Sequence, residues 1–146
     1  MGARVSVELL LDNSAFARLA SSALDDRRAQ EIADAIEQGV VGVCLPFLLE
    51  AGYSARNATD HDELLGELMA LPILHIDTEV ERRAVDAQRQ LARAGHHRLP
   101  PVDLIIAALA DRHAVGVLHY DRDYDTIAAR TDLRFASVWL ARRGSL

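Results

Sequence analysis

The chain has 146 residues and a formal net charge of −6, with half of its residues apolar and about a quarter charged. This length and balance fit one globular domain and exclude a disordered or fibrous chain. No apolar run reaches the roughly 20 residues that a membrane-spanning helix needs. The negative charge argues against a passive nucleic-acid binder, because such proteins gain affinity by displacing counterions with positive charge.

The numbers of cysteine and lysine residues indicate the cellular compartment and exclude some classes of enzyme. Cys44 is the single cysteine, so no internal disulfide can form, and we expect a reducing, cytoplasmic environment. The N-terminal apolar stretch is too short for a secretory signal and has no small-residue cleavage site behind it. All sixteen basic residues are arginine. The absence of lysine argues against haloacid-dehalogenase-like phosphatases and phosphorylated receiver domains, which need one near their aspartate.

The hydrophobic pattern predicts strands and helices that alternate along the chain. Short apolar runs bounded by turn residues indicate buried parallel strands, and apolar residues at helical spacing indicate helices. Strands are expected at 5–11, 40–46, 115–121 and 134–139, with a shorter strand or edge segment at 72–76. Helices are expected from Ser14 and over 25–39, 46–57, 59–71, 77–95, 99–116 and 122–130, with Thr59 and Asp125 as caps. This alternation predicts a single α/β domain over residues 1–146, a three-layer sandwich with a mostly parallel central sheet flanked by helices.

Acidic residues occur where strands end and where helices begin. Asp12 follows the first strand and Asp121 follows the strand at 115–121. Glu50 falls in the first or second turn of the helix after the second strand, and Asp103 falls in the first turn of its helix. Ligands of open α/β sheets bind beyond the carboxyl ends of the strands. We therefore expect these four carboxylates to converge at one edge of the sheet.

A cluster of carboxylates predicts a metal site. Crowded carboxylates raise one another's pKa unless a cation neutralises them, and oxygen ligands suit Mg²⁺ or Mn²⁺. Such ions bind phosphate and assist phosphodiester hydrolysis. Each acid alone also has an ordinary structural interpretation: Asp12 as a helix cap, Glu50 and Asp103 as first-turn acids, and Asp121 and Asp123 as turn residues.

Four motifs follow one another along the chain: LLLDNSAF, PFLLEAGYS, PPVDLIIAALA and LHYDRDYD. In their order and spacing they resemble a PIN domain, specifically the VapC type of toxin from bacterial toxin–antitoxin pairs. The resemblance extends over essentially the whole chain. It implies that the site acids are Asp12, Glu50, Asp103 and Asp121, with Asp123 as a neighbouring acid. Ser14 matches the family's Asp-x-Ser pattern, and Tyr124 stands where phenylalanine is usual.

The resemblance implies an endoribonuclease that depends on Mg²⁺ or Mn²⁺ and cuts structured RNA, often tRNA or ribosomal RNA, leaving 5′-phosphate and 3′-hydroxyl ends. We expect Asp12 and Asp103 to bind the main ion directly, and Glu50 and Asp121 to complete the site through water or a second ion. Ser14 is expected to orient Asp12. Arg122, next to Asp121, is the best candidate for an RNA contact because arginine binds phosphate oxygens in bidentate fashion.

The resemblance also implies partners. We expect a homodimer and a cognate VapB-type antitoxin, whose C-terminal segment wraps the helices near Phe16, Leu19 and residues 47–53. The alternative is a non-catalytic α/β binding module in which the same acids hold a structural metal ion.

The remaining polar residues carry weaker signals. His75 and His119 lie in strand segments and are expected to pack in the core, whereas His96 and His97 are expected in a surface loop that could meet RNA. Arginine pairs occur at positions 27 and 28, 82 and 83, and 142 and 143. We interpret them by default as parts of exposed helix faces, with RNA contacts as the less favoured interpretation.

Overall fold

A computed structural model describes residues 6–96 and 98–146 of the chain. Its strands are β1 (Leu9–Leu11), β2 (Val41–Gly42), β3 (Gly116–His119) and β4 (Ser137–Trp139). Its helices are α1 (Asn13–Phe16), α2 (Asp26–Glu37), α3 (Leu45–Tyr53), α4 (Ala58–Leu68), α5 (Thr78–Arg93), α6 (Pro101–His113) and α7 (Asp123–Arg130). The predicted α/β fold is confirmed. Within the described residues, no helix is both long and apolar enough to cross a membrane.

The four strands form one parallel sheet in the order β2-β1-β3-β4. Leu10 pairs with Gly42 on one side and with Val117 on the other, and Leu118 pairs with Val138. Because every strand runs the same way, all four carboxyl ends meet at a single edge. We call it the carboxyl edge. It carries Asp12 after the central strand β1 and Asp121 after β3.

The core lies where the sheet meets its helices. All four residues of β3 are buried, and Leu10 and Leu11 of β1 are at most 1% exposed. Parallel strands covered on both faces are continuous apolar runs, which is why β1 and β3 were recognisable in the sequence. Helix α6 is also buried along most of its length. It extends the core to the carboxyl edge, where Asp103 lies in its first turn.

Side-chain caps start several of the helices. Asp25, Asn57 and Asp77 each accept a backbone amide hydrogen bond at the start of α2, α4 and α5. The prediction that Thr59 caps α4 is wrong, because Asn57 accepts the amide proton of Asp60 and the helix has already begun at Ala58. The Asn57 cap satisfies an amide that has no partner within the helix.

The assignment of Asp125 to a helix cap is also wrong. Asp125 lies inside the first turn of α7, which begins at Asp123. Its two oxygens accept hydrogen bonds from Ser137 Oγ at 2.6 Å and from Trp139 Nε1 at 3.0 Å. Asp125 therefore connects α7 to β4, a role that a first-turn acid does not reveal in the sequence.

The segment at 72–76 is less regular than a strand. It makes one isolated bridge, between Val43 and Ile73, and Pro72 has no amide proton with which to extend a ladder. His75 is therefore exposed, and the prediction that it packs in the core is wrong. His119 is 0% exposed, which confirms its predicted core position. Residues 1–5, where the first predicted strand begins, and His97 lie outside the described residues.

Candidate metal centre

Asp12 ends β1 and begins α1. Its backbone amide donates to the carbonyl of Leu118 at 3.0 Å, so the β1–β3 pairing continues to the acid itself. Its side chain is 4% exposed, and Oδ2 accepts hydrogen bonds from the Ser14 amide at 3.0 Å and from Ser14 Oγ at 2.5 Å. Asp12 is therefore a helix cap. Ser14 contacts the Asp12 carboxylate through both its amide and its hydroxyl, as its predicted role of orienting Asp12 requires.

Tyr124 connects Asp12 to Asp103. Its ring is 0% exposed, and its hydroxyl donates to Asp12 Oδ1 at 2.7 Å while lying 3.4 Å from Asp103 Oδ1. Burial, followed by the negative charges of Asp12 and Asp103, raises the pKa of Tyr124 well above its ordinary value, so the phenol stays a donor. Sequence reasoning missed this role. The only signal was a tyrosine at a position where the family usually has phenylalanine.

Asp103 is the most perturbed acid of the site. It is 7% exposed, and its Oδ2 is buried with no hydrogen-bond partner among the described residues. Burial raises its pKa to about 8, with further contributions from Asp12, Asp121, Asp123 and Glu50 in that order. A buried carboxylate oxygen without a donor is costly, and a bound cation compensates that cost.

Asp121 and Asp123 follow β3 and approach Asp103. The Asp123 amide donates to Asp121 Oδ1 at 2.9 Å, which holds the turn between them. One carboxylate oxygen from each of Asp103, Asp121 and Asp123 lies within 4.8 Å of the other two. We call these three residues the carboxylate cluster. Burial and then the charge of Asp121 raise the pKa of Asp123, so the residue predicted as a neighbouring acid is an integral member.

Glu50 lies in the second turn of α3 and is half-buried. Burial and then the charge of Asp12 raise its pKa. Among the described residues the close cluster contains neither Glu50 nor Asp12, although both raise the pKa of Asp103. The structure thus gathers Asp103 and Asp121 directly and joins Asp12 through Tyr124. The metal-binding roles of Asp12 and Glu50 stay predictions.

A chain of hydrogen bonds that runs outward from the buried His119 holds the backbone at Asp121. The Asp121 amide donates to His119 Nδ1 at 3.0 Å, so Nε2 carries the imidazole proton and donates to Ser137 Oγ at 2.7 Å. Ser137 in turn donates to Asp125. Burial lowers the pKa of His119, which keeps the ring neutral. The chain fixes the backbone at Asp121 from β4, and no sequence motif indicates it.

The residues fit a divalent cation of the Mg²⁺ or Mn²⁺ type. The donors are all carboxylate oxygens, which these hard cations prefer over sulfur or imidazole ligands. The orphaned Asp103 Oδ2 supplies an unused lone pair. Burial, and after it the negative charge of neighbouring acids, raises the pKa of Asp103 and of Asp123, and a bound cation would offset both effects.

The predicted arginine contacts divide into two groups. Arg122 is exposed at the start of α7 between two acids of the cluster, and its charge acts to lower the pKa of Asp123. Arg28 instead donates to the carbonyl oxygens of Trp139 and Leu140, which ties α2 to the end of β4. Arg83 pairs with Glu79 and Asp111. Arg28 and Arg83 therefore have structural partners, whereas Arg122 is open to a ligand.

Comparison with known proteins identifies the family. The PIN-domain family model matches residues 9–130. Ribonuclease VapC51 of Mycobacterium tuberculosis is 39% identical over 127 residues, which are 87% of this chain and 90% of the relative. Ribonuclease VapC21 of the same organism is 37% identical over 144 residues, which are 97% and 99% of the two chains.

Solved structures agree on the fold. VapBC2 from Rickettsia felis, bound to a DNA fragment from its promoter, matches with a TM-score of 0.71 at 12% identity over 92% of this chain and 99% of that chain. DNA-bound VapBC from Salmonella typhimurium matches with a TM-score of 0.69 at 16% identity over the same shares. The chain belongs to the PIN-domain family, within the group that includes the VapC ribonucleases.

Proposed function

We propose that the protein is an endoribonuclease toxin that hydrolyses RNA phosphodiester bonds with the help of Mg²⁺ or Mn²⁺ and is neutralised by a cognate VapB-type antitoxin. The observation that carries the proposal is the carboxylate cluster around the orphaned Asp103 Oδ2, in a chain of the PIN family. The relatives named as VapC ribonucleases support the same activity. The carboxylate cluster and the family relationship therefore support the same reaction.

Asp103, Asp121 and Asp123 would hold the ion, and Asp12 would join them on the side that Tyr124 and Ser14 fix. A divalent ion bound there lowers the pKa of a coordinated water and stabilises charge on the phosphate. Tyr124 and Ser14 hold the Asp12 carboxylate in one orientation. Arg122 is exposed beside the cluster and can donate to a phosphate oxygen of the RNA. Glu50 adds negative charge from α3.

An apolar groove beside the site suits the antitoxin. It has a volume of about 690 Å³, and Asn13 and Glu50 are among its lining residues at the carboxyl edge. Leu49 is 65% exposed and Tyr53 is 92% exposed, while Phe47 of the same helix is 0% exposed. Exposed apolar side chains of this size favour a protein partner. The antitoxin contact predicted at residues 47–53 would therefore involve Leu49 and Tyr53 rather than Phe47.

The finer features of the proposal rest on the family. A homodimer, a structured RNA such as tRNA or ribosomal RNA, and action in the cytoplasm are each proposed for this chain. We also propose that residues 1–146 form one PIN domain, because β4, beyond the matched range 9–130, belongs to the same sheet as β1.

The alternative is a binding module in which the same acids hold a structural ion without catalysis. Sequencing of RNA 5′ ends in cells that express the chain distinguishes the two functions. We expect new 5′-phosphate ends with the wild type and none with Asp103→Asn at equal protein level. Identical 5′ ends in the two samples would contradict the nuclease and favour the binding module.

A further inference from the structure

An acidic protein that cleaves RNA must hold a polyanion close to its own carboxylates, and this requirement rests on the proposed function. Fixed positive charge near the site offsets the repulsion and adds affinity that depends on salt. Many described arginines are already paired with acids of their own helices or of neighbouring segments: Arg27, Arg28, Arg56, Arg82, Arg83, Arg89 and Arg112.

Arginines without an ion pair among the described residues occur at the carboxyl edge. Arg18 follows α1, Arg122 immediately precedes α7, and Arg142 and Arg143 follow β4. Each of these positions comes directly after a strand end or its first helix, so the sheet topology brings them to the same edge as the carboxylate cluster. Positive charge without an ion pair among the described residues is therefore present at the edge where the metal centre lies.

Arg18 is the most rigidly held of these residues. It is half-buried, its guanidinium carbon lies 4.6 Å from the centroid of the Tyr120 ring, and its Nη1 donates to the Ser14 carbonyl at 2.8 Å. Stacking on a ring leaves the edge of a guanidinium free to donate, and it lowers the entropy cost of binding because the side chain is already positioned.

The same unit is connected to the metal centre by hydrogen bonds. Ser14 Oγ accepts from the Tyr120 amide at 2.8 Å and donates to Asp12 Oδ2 at 2.5 Å. Two hydrogen bonds thus link the backbone of Tyr120, whose ring stacks with Arg18, to the Asp12 carboxylate at the end of β1. Arg18 therefore lies on the Asp12 side of the site.

We propose that Arg18, stacked on Tyr120, is a phosphate-binding site for the RNA that flanks the cleaved bond. A cleft of about 720 Å³ lies beyond Trp139, whose ring contacts Tyr120 edge-on at 5.6 Å between centroids. Arg142 and Arg143 line the cleft together with two acids whose carboxylates already accept hydrogen bonds, Asp25 and Asp125.

Two matched substitutions test the phosphate site. Arg18→Gln removes the stacked charge, and Arg130→Gln removes an exposed charge that has no ion pair among the described residues, at the far end of α7. Both are made in the Asp103→Asn background, and binding of fluorescein-labelled single-stranded RNA of randomised sequence is measured across salt concentrations. We expect Arg18→Gln to weaken binding about tenfold and to reduce the slope of log Kd against log salt by about 0.7, as for one lost phosphate contact.

The cleavage assay supplies the second readout. With Asp103 intact, Arg18→Gln should raise KM about tenfold and leave kcat within about twofold, because Arg18 contacts flanking RNA rather than reacting atoms. Its Mn²⁺ affinity should not fall, which checks that the Asp12–Ser14 contacts survive. Weaker Mn²⁺ binding, or equal RNA affinity and salt slope in Arg18→Gln and Arg130→Gln, would overturn the phosphate site. Failure of the wild type to cleave any RNA would instead overturn the proposed function.

Discussion

The Tyr124 hydroxyl donates to Asp12 Oδ1 at 2.7 Å in the protein interior, so a side chain of α7 fixes the acid that ends β1. The same hydroxyl lies 3.4 Å from Asp103 Oδ1. One neutral donor therefore fixes Asp12 directly and lies between the side chains of Asp12 and Asp103. Outer hydrogen bonds of this kind orient metal ligands, and their loss typically costs metal affinity.

Tyr124→Phe should weaken Mn²⁺ binding about tenfold while leaving the fold intact, because phenylalanine fills the same volume and removes only the hydroxyl. The free energy of unfolding should fall by about 1–2 kcal/mol from the lost buried hydrogen bond. Tyr53→Phe is the matched control, since Tyr53 is 92% exposed. Isothermal titration with Mn²⁺ measures the effect, and equal affinities in the two variants would contradict the orienting role.

Metal affinity should depend on pH through Asp103. Burial raises its pKa to about 8, so the metal-free carboxyl holds a proton at neutral pH that a divalent ion must displace. We expect Mn²⁺ affinity to rise between pH 6 and 8 and then to level off, with proton release that shrinks over the same range. Affinity that is flat over this range would contradict the raised pKa of Asp103 in the metal-free site.

The contribution of Asp103 to the stability of the metal-free protein should fall as pH rises, whereas the metal affinity rises. The folded-state pKa of Asp103 is raised above its ordinary value of 3.8, so the folded state binds more protons than the unfolded state between about pH 4 and 8. Stability is therefore greatest at the acidic end and is lost as pH rises through about 8. Asp103→Asn cannot ionise and should raise the Tm at pH 8 by about 5 °C.

Addition of Mn²⁺ should reverse the order of thermal stability of the wild type and Asp103→Asn. Mn²⁺ binds the folded wild type and should raise its Tm in proportion to the logarithm of the metal concentration, while Asp103→Asn should respond little. Differential scanning fluorimetry at pH 8 follows both curves. A wild type already more stable than Asp103→Asn without metal would contradict the repulsion among the acids.

Asp125 should stabilise the fold through its two hydrogen bonds to side chains of β4. Asp125→Ala removes the acceptor of Ser137 Oγ and Trp139 Nε1, and we expect the free energy of unfolding to fall by about 1–2 kcal/mol. Asp62→Ala, at an exposed position of α4, removes the same charge without those contacts. Urea unfolding of the two variants compares them, and equal midpoints would refute the Asp125 connection.

The apolar groove predicts how an antitoxin binds. Leu49→Glu places a charge in the groove and should weaken binding of the cognate antitoxin at least tenfold, because burying an unpaired carboxylate is costly. RNA cleavage by the free toxin should persist. Biolayer interferometry measures the affinity, and size-exclusion chromatography reports the oligomeric state. An unchanged antitoxin affinity together with a change of oligomeric state would assign the groove to a dimer contact.

The positions of the site acids were predictable because they follow from the backbone. Strands β1 and β3 are continuous apolar runs, parallel strands end at one edge, and an acid after each run lands there whatever the side-chain packing. The first-turn position of Asp103 likewise follows from the two prolines before it. The convergence of Asp103 and Asp121 therefore needed only the order of the elements.

Contacts between distant elements were not predictable in the same way. Tyr124 of α7 reaches Asp12 across 112 positions of the sequence, and a lone tyrosine in a sequence carries no record of that contact. Asp125 resembles any acid in a first turn until β4 is beside it. His75 was expected in the core because it was assigned to a strand segment, but the segment pairs at one residue only.

The most direct test of the account is RNA cleavage by the purified protein with and without a divalent ion. We predict cleavage with Mn²⁺, its loss on addition of EDTA, its recovery when Mn²⁺ is restored in excess, and no cleavage by folded Asp103→Asn under any of these conditions. Cleavage that continues in EDTA, or that Asp103→Asn carries out at the wild-type rate, would contradict a nuclease built on these carboxylates.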